Sequence, residues 1–135
     1  YDLDKSHVFG ATVTKVMRAK DNLEVWGDGS EIRDFLHADD LVNFIKKAIL
    51  KQKRQYAIYN CGSGKAVTIK QLCNLIVKIS KKPLKINFNK NKPTIAFDMY
   101  LNCSKAKKEL GWEPKIEIES GIKKTLSWWK ENIKS

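Results

Sequence analysis

Histidine, cysteine, proline and glycine are all scarce in this sequence, with two, three, three and seven residues in 135. So little glycine and proline excludes collagen-like and low-complexity chains. The three cysteines, Cys61, Cys73 and Cys103, are odd in number, far apart and form no Cys-x-x-Cys pair. With only His7 and His37 to help them they do not read as a metal site, but as reduced, buried thiols of a cytoplasmic protein. No apolar run approaches the roughly 18 residues of a membrane span. The opening, Tyr1-Asp2-Leu3-Asp4, has no Met and no secretory-leader pattern, and reads as starting inside a longer protein. Acidic residues are also in the minority, 15 against 26 basic ones, leaving a net charge of +11. That excess calls for an anionic partner, either nucleic acid or a phosphorylated small molecule. Most of the lysines nevertheless fall on polar helix faces, where solvation alone explains them.

What is present is a regular alternation of helical and extended patterns. A hydrophobic content of 42% excludes a disordered chain, and the length fits one domain over residues 1–135. Ser6 is placed to cap a helix over about 7–20, with Val8, Phe9, Val13, Val16 and Met17 at helical spacing. Leu23–Trp26 and 32–36 read as short extended pieces around a Gly27-Asp28-Gly29-Ser30 turn. Asp39 or Asp40 caps a helix to about Lys51, whose apolar stripe is Leu41, Val42, Phe44, Ile45, Ala48 and Ile49. Residues 56–60 read as a strand covered on both faces. Thr68 and Gln71 have capping-box spacing and open a helix to about Ser80, broken by Pro83. Residues 84–88 form another strand, and 97–101 are extended. Ser104 caps a helix that Gly111 ends, and Ser120 caps the last helix. The pattern predicts a small mixed α/β fold with short strands.

Two strings could carry chemistry. In Trp26 to Leu41, a tight turn leads to Arg33 and then to an acid-capped helix. A guanidinium beside an indole can clamp a diphosphate while the ring packs on a base or sugar. An ion pair of Arg33 with Asp34 or Asp39, stitching the turn, explains the same residues equally well. The second string, Gly62-Ser63-Gly64-Lys65, lacks phosphate-loop spacing and is followed by Ala66-Val67, so it reads as an ordinary loop. On residue types alone His7 and His37 have bland explanations, and no nucleophilic triad or RNA-binding aromatic signature is present.

The order of the strings is more telling than any one of them: Ser6-His7-Val8; Val25-Trp26-Gly27-Asp28-Gly29 with Arg33-Asp34-Phe35-Leu36-His37-Ala38-Asp39-Asp40-Leu41; Tyr59-Asn60-Cys61-Gly62-Ser63-Gly64; and Ser104-Lys105-Ala106-Lys107-Lys108-Glu109-Leu110-Gly111-Trp112-Glu113-Pro114. This resembles the C-terminal portion of NAD(P)-dependent nucleotide-sugar epimerase/dehydratases, the extended short-chain dehydrogenase/reductases, and its opening is most similar to GDP-L-fucose synthases. The resemblance implies that His7 is a general acid/base, working with a cysteine in a part of the enzyme not in this chain. It also implies that Lys15, Trp26 and Arg33 bind substrate, with Arg33 on the diphosphate. Arginine suits that role because it offers a permanently charged, bidentate donor. Phe9-Gly10-Ala11 stands where many relatives have Ile-Pro-Ala, and residues 97–104 lack the basic residue that relatives carry there. Asp98 in that stretch would repel a diphosphate.

The chain has no Gly-x-x-Gly-x-x-Gly string, and its one Tyr-x-x-x-Lys spacing, Tyr1–Lys5, falls after the family's catalytic region. By the resemblance, NAD or NADP is bound by an absent N-terminal domain, and this chain alone does not transfer hydride. Residues 39–66 are expected to pack on that absent domain. Without it they expose apolar side chains, at roughly 1.5–3 kcal/mol each, which self-association or rearrangement would hide. The expected partner is a nucleotide-sugar, with no membrane contact and nucleic acid disfavoured. The rival is a non-enzymatic basic module for nucleic acid or another polyanion, whose binding would fall steeply with salt.

Overall fold

The computed structural model describes residues 6–94 and 97–133; the Tyr1–Lys5 spacing lies outside them. The elements in order are α1 (Val8–Arg18), β1 (Asn22–Trp26), β2 (Ile32–Arg33), α2 (Ala38–Lys51), β3 (Val67–Thr68), α3 (Ile69–Ser80), β4 (Lys85–Asn89), α4 (Ser104–Leu110) and α5 (Ile118–Asn132). β2 and β3 make a short two-stranded pairing. This is the mixed α/β fold with short strands that the sequence predicts. The chain gathers into two compact units, one from residues up to 31, 68–97 and 119 onward, the other from 32–67 and 98–118.

The first unit is built on β1 and β4, which run parallel in the register Asn22↔Lys85 to Trp26↔Asn89. β1 alternates as predicted, with Leu23 and Val25 buried. α1 packs on α3 and β1. Val13 and Val16 of α1, Leu72, Cys73 and Ile76 of α3, and Ile122, Leu126 and Trp129 of α5 are all buried. Lys82 donates its ammonium hydrogens to the carbonyls of Val16, Met17 and Ala19 at 3.0, 2.7 and 2.6 Å, satisfying the end of α1. The capping box of α3 forms as the spacing predicts: Gln71 N–H donates to Thr68 Oγ1 at 3.1 Å, and Thr68 N–H to Gln71 Oε1 at 2.8 Å. α3 ends at Lys81 in the left-handed region, two residues before Pro83.

The second unit centres on Ala106, Leu110 and Trp112, with Phe44 and Ala48 of α2, Tyr59, Cys61 and Cys103 packed around them. Phe44 meets Trp112 edge-on, ring centroids 5.1 Å apart. Asp40, 3% exposed, accepts N–H hydrogens from Lys115 and Ile116 at 3.1 and 2.9 Å, and its carbonyl accepts from Trp112 Nε1 at 3.2 Å. Gly111 ends α4 with φ +60°, as expected.

Several boundaries differ from the sequence reading. His7, not Ser6, is the N-cap of α1. His37 caps α2, its Nδ1 accepting from Asp39 N–H at 3.1 Å, which leaves Asp39 and Asp40 in the first turn, where negative charge favours the helix. Cys103 precedes α4, and α5 begins at Ile118, ahead of Ser120. Residues 56–60 form no ladder among the described residues. The apolar stripe of α2 is divided: Phe44 and Ala48 pack, while Leu41, Val42, Ile45 and Ile49 are exposed, as is Leu50 outside the stripe. Tyr56 and Ile58 are exposed with them, at 74% and 64%.

Candidate functional site

Trp26 is the last residue of β1, beside Asn89 at the end of β4. Both strands are parallel, so this is their carboxyl edge, the side on which open α/β sheets place ligands. Alternation turns Leu23 and Val25 inward and leaves the Trp26 indole 48% exposed. Lys15, two turns along α1 from His7, donates to the Glu24 carbonyl at 3.3 Å and lies 5.7 Å from the Trp26 ring centroid. Lys15 and Trp26, linked in the sequence analysis only by resemblance, are therefore brought together within one unit.

The turn after β1 is fixed by close approach. Gly29 has φ +76°, and a Cβ there would stand 2.5 Å from Phe88. Its carbonyl accepts from Lys70 N–H at 2.9 Å, and that of Glu31 from Ile69 N–H at 3.0 Å. These bonds and the capping box engage the N–H groups from Thr68 to Gln71. A shallow hollow of about 470 Å³ beside this turn, with Asp28, Ser30, Lys70, Phe88 and Lys90 on its walls, thus has no unused helix amides for an anion. It contains none of the four residues singled out from the sequence.

His7 is exposed at the start of α1 and makes no side-chain capping bond. Arg33 belongs to the second unit, half-buried on β2, with Nη1 donating to the Ile32 carbonyl at 2.8 Å. Its backbone neighbours are tied on both sides. Ile32 N–H donates to Asp98 Oδ1 at 2.8 Å, and Met99 N–H to the Ile32 carbonyl at 3.1 Å. Asp34 Oδ1 accepts from Ser63 N–H and Oγ–H, each at 2.6 Å; Oδ2 accepts from Gly64 N–H at 3.0 Å and Leu101 N–H at 3.1 Å. Residues 98–101 run alongside 32–34 through these bonds, and Asp98 braces the strand that carries Arg33. Gly62 is required here, since a Cβ would come within 2.6 Å of Asp34 Oδ2. Sequence reasoning weighed Asp34 only as an ion-pair partner; its use as a four-fold acceptor depends on residues 29 to 67 positions away, which no local pattern reveals.

Burial pushes the Cys61 and Cys73 thiols up to about 11 and also raises Cys103. These groups are poor nucleophiles near neutrality. Among the described residues no group of His, Cys, Asp and Glu could hold a metal ion, and no helix is long and apolar enough to cross a membrane.

A sequence profile for the family described as GDP-mannose 4,6 dehydratase matches residues 6–125. The chain is 32% identical over 134 residues to GDP-L-fucose synthase 1 of Arabidopsis thaliana, covering 96% of this chain and 41% of that protein. It is 36% identical over 115 residues to UDP-glucuronate 4-epimerase of Thermodesulfobacterium geofontis, covering 82% of this chain and 34% of the relative. Among solved structures, a GDP-6-OMe-4-keto-L-xylo-heptose reductase from C. jejuni superposes with a TM-score of 0.86 at 25% identity, over 96% of this chain and 49% of that one. The chain thus spans half or less of the length of these relatives. With a profile match across most of its residues and the same fold in solved relatives, the chain belongs to the GDP-mannose 4,6-dehydratase family of extended short-chain dehydrogenase/reductases.

Proposed function

We propose that this chain is the substrate-side portion of a cytoplasmic nucleotide-sugar epimerase/reductase of the GDP-L-fucose synthase type, acting on a nucleoside-diphosphate keto-sugar with NAD or NADP. The observation that carries this reading is the half-exposed Trp26 indole at the carboxyl edge of two parallel strands, with the Lys15 ammonium 5.7 Å from its ring. An indole offers a flat face to a base or sugar, and an ammonium offers charge to phosphate. Arg33 supplies the diphosphate donor, and the bonds on Ile32 and Asp34 hold its backbone without the ligand. His7, whose ring is not spent on capping α1, is the acid/base beside the keto-sugar carbonyl.

The residues present do not fit a dinucleotide. No glycine-rich string leads into a helix, the first-turn amides of α3 are used, and α2 opens on two carboxylates that repel a pyrophosphate. The reading therefore assigns NAD or NADP to polypeptide outside these residues. The exposed α2 face and residues 56–60 in the second unit are the surface that such a domain would cover.

Arg33→Ala tests the reading. It should weaken nucleotide-sugar binding, and an unchanged dissociation constant would remove Arg33 from the site. In the complete enzyme, His7→Ala should reduce epimerisation far more than NAD(P) binding; equal losses would defeat the acid/base role. Indiscriminate polyanion binding that falls steeply with salt would favour the rival basic module instead.

A further inference from the structure

We infer that Lys92 is a second phosphate-reading cation of the Trp26 subsite, and that it makes this subsite select nucleoside diphosphates over uncharged nucleosides. The inference rests on the site reading above and extends it to a residue that neither the motif strings nor their spacing single out.

The argument begins with Asn89. As the last residue of β4 it faces Trp26 in the parallel register. Its carbonyl accepts from both Gly27 N–H, at 2.9 Å, and Lys92 N–H, at 3.3 Å. Its side-chain Oδ1 accepts from Asn91 N–H at 3.1 Å, and its Nδ2 donates to Glu24 Oε1 at 2.9 Å. One residue thus ties the turn after β4 to the turn after β1, and it also occupies an oxygen of the Glu24 carboxylate. The consequence is that Lys92 Nζ lies 5.6 Å from the Trp26 centroid, against 5.7 Å for Lys15 Nζ.

Two ammonium groups from separate elements, a helix and a strand-end turn, converge on one half-exposed indole. Neither forms an ion pair with a carboxylate among the described residues. Lys65 and Lys107, by contrast, each have a glutamate, at 2.5 and 2.6 Å. Two cations flanking a flat apolar face match a ligand that is itself a flat ring bearing two phosphates: the base stacks, and each ammonium takes phosphate oxygens. Both stand near the outer limit of about 6 Å for a cation–π contact, held weakly enough for a long, flexible side chain to swing from the ring to a phosphate as the base stacks.

The test is calorimetric titration of the full chain at low salt with GDP and UDP, and with guanosine and uridine. Lys92→Ala should weaken diphosphate binding about three- to ten-fold, the size expected of one solvent-exposed charged contact, and should leave nucleoside binding unchanged. Lys92→Arg should restore diphosphate affinity. Lys92 is exposed in a turn, so far-UV circular dichroism should be unaltered. If Trp26→Ala abolishes diphosphate binding while Lys92→Ala changes nothing, the site stands and the role of Lys92 is overturned. If Lys92→Ala weakens diphosphate and nucleoside equally, its part is not phosphate reading and the inference falls. If the unmodified chain binds neither diphosphate, the site reading fails and Lys92 with it.

Discussion

Replacing Asp34 by alanine removes one acceptor group that serves four donors, and the cost can be worked from where those donors lie. Ser63 N–H and Leu101 N–H are partly buried, whereas Gly64 N–H is exposed. Water takes over the exposed donor at little cost, and the Ser63 hydroxyl can rotate. Each of the other two loses its partner where water is restricted, at about 1–3 kcal/mol apiece. The sum is about 2–6 kcal/mol, centred near 4, large for a residue outside the core. Asp34→Asn should recover little, because its one carbonyl oxygen cannot serve both sides and its amide points donors at donors. Asp98→Ala is the control: it strips only the exposed Ile32 N–H and should cost under about 1 kcal/mol. Urea unfolding followed by circular dichroism reads all three. If both Asp34 variants lie within about 0.5 kcal/mol of the unmodified chain, the carboxylate does not hold residues 63–64 and 101 to the Arg33 strand.

Three further outcomes follow from the same structure. Thr68→Ala removes one side of the reciprocal cap of α3 and should cost about 1 kcal/mol; urea unfolding that is unaltered would show the cap to be idle. The Cys61 and Cys73 thiols ionise at about 11 when folded, against an ordinary 9.0. The unfolded chain therefore releases these protons first, so stability should decline as pH rises from about 9 towards 11, and alkylation at pH 8 should be slower for the native chain than after unfolding; equal rates would contradict the burial. The exposed α2 face predicts concentration-dependent self-association of the chain by sedimentation, reduced by Ile45→Glu; a monomer at all concentrations would contradict it.

Elements governed by neighbouring residues were legible in the sequence. The Thr68–Gln71 spacing, the alternation in β1 and the Gly111 stop are local signals, and each appears in place. The N-cap of α2 was misread because a histidine that accepts from a nearby N–H competes with two aspartates that are better known as caps. The segment 56–60 has the composition of a strand, but composition cannot supply a partner strand, and none lies among the described residues. Of the candidate site, residue chemistry points to Trp26 and Arg33 and motif resemblance adds Lys15 and His7; the structure adds that Lys15 reaches Trp26. Lys92 looked like one more solvated lysine, since its position depends on a register between strands some 60 residues apart, read only once β1 and β4 are paired.

The central claim is tested most directly by titrating a GDP- or UDP-sugar into the isotopically labelled chain and following the Trp26 indole Nε1 and Arg33 Nε resonances. The account predicts that both shift and saturate as the nucleotide-sugar is added. Shifts confined to scattered lysines, with both of these resonances unmoved, would contradict it.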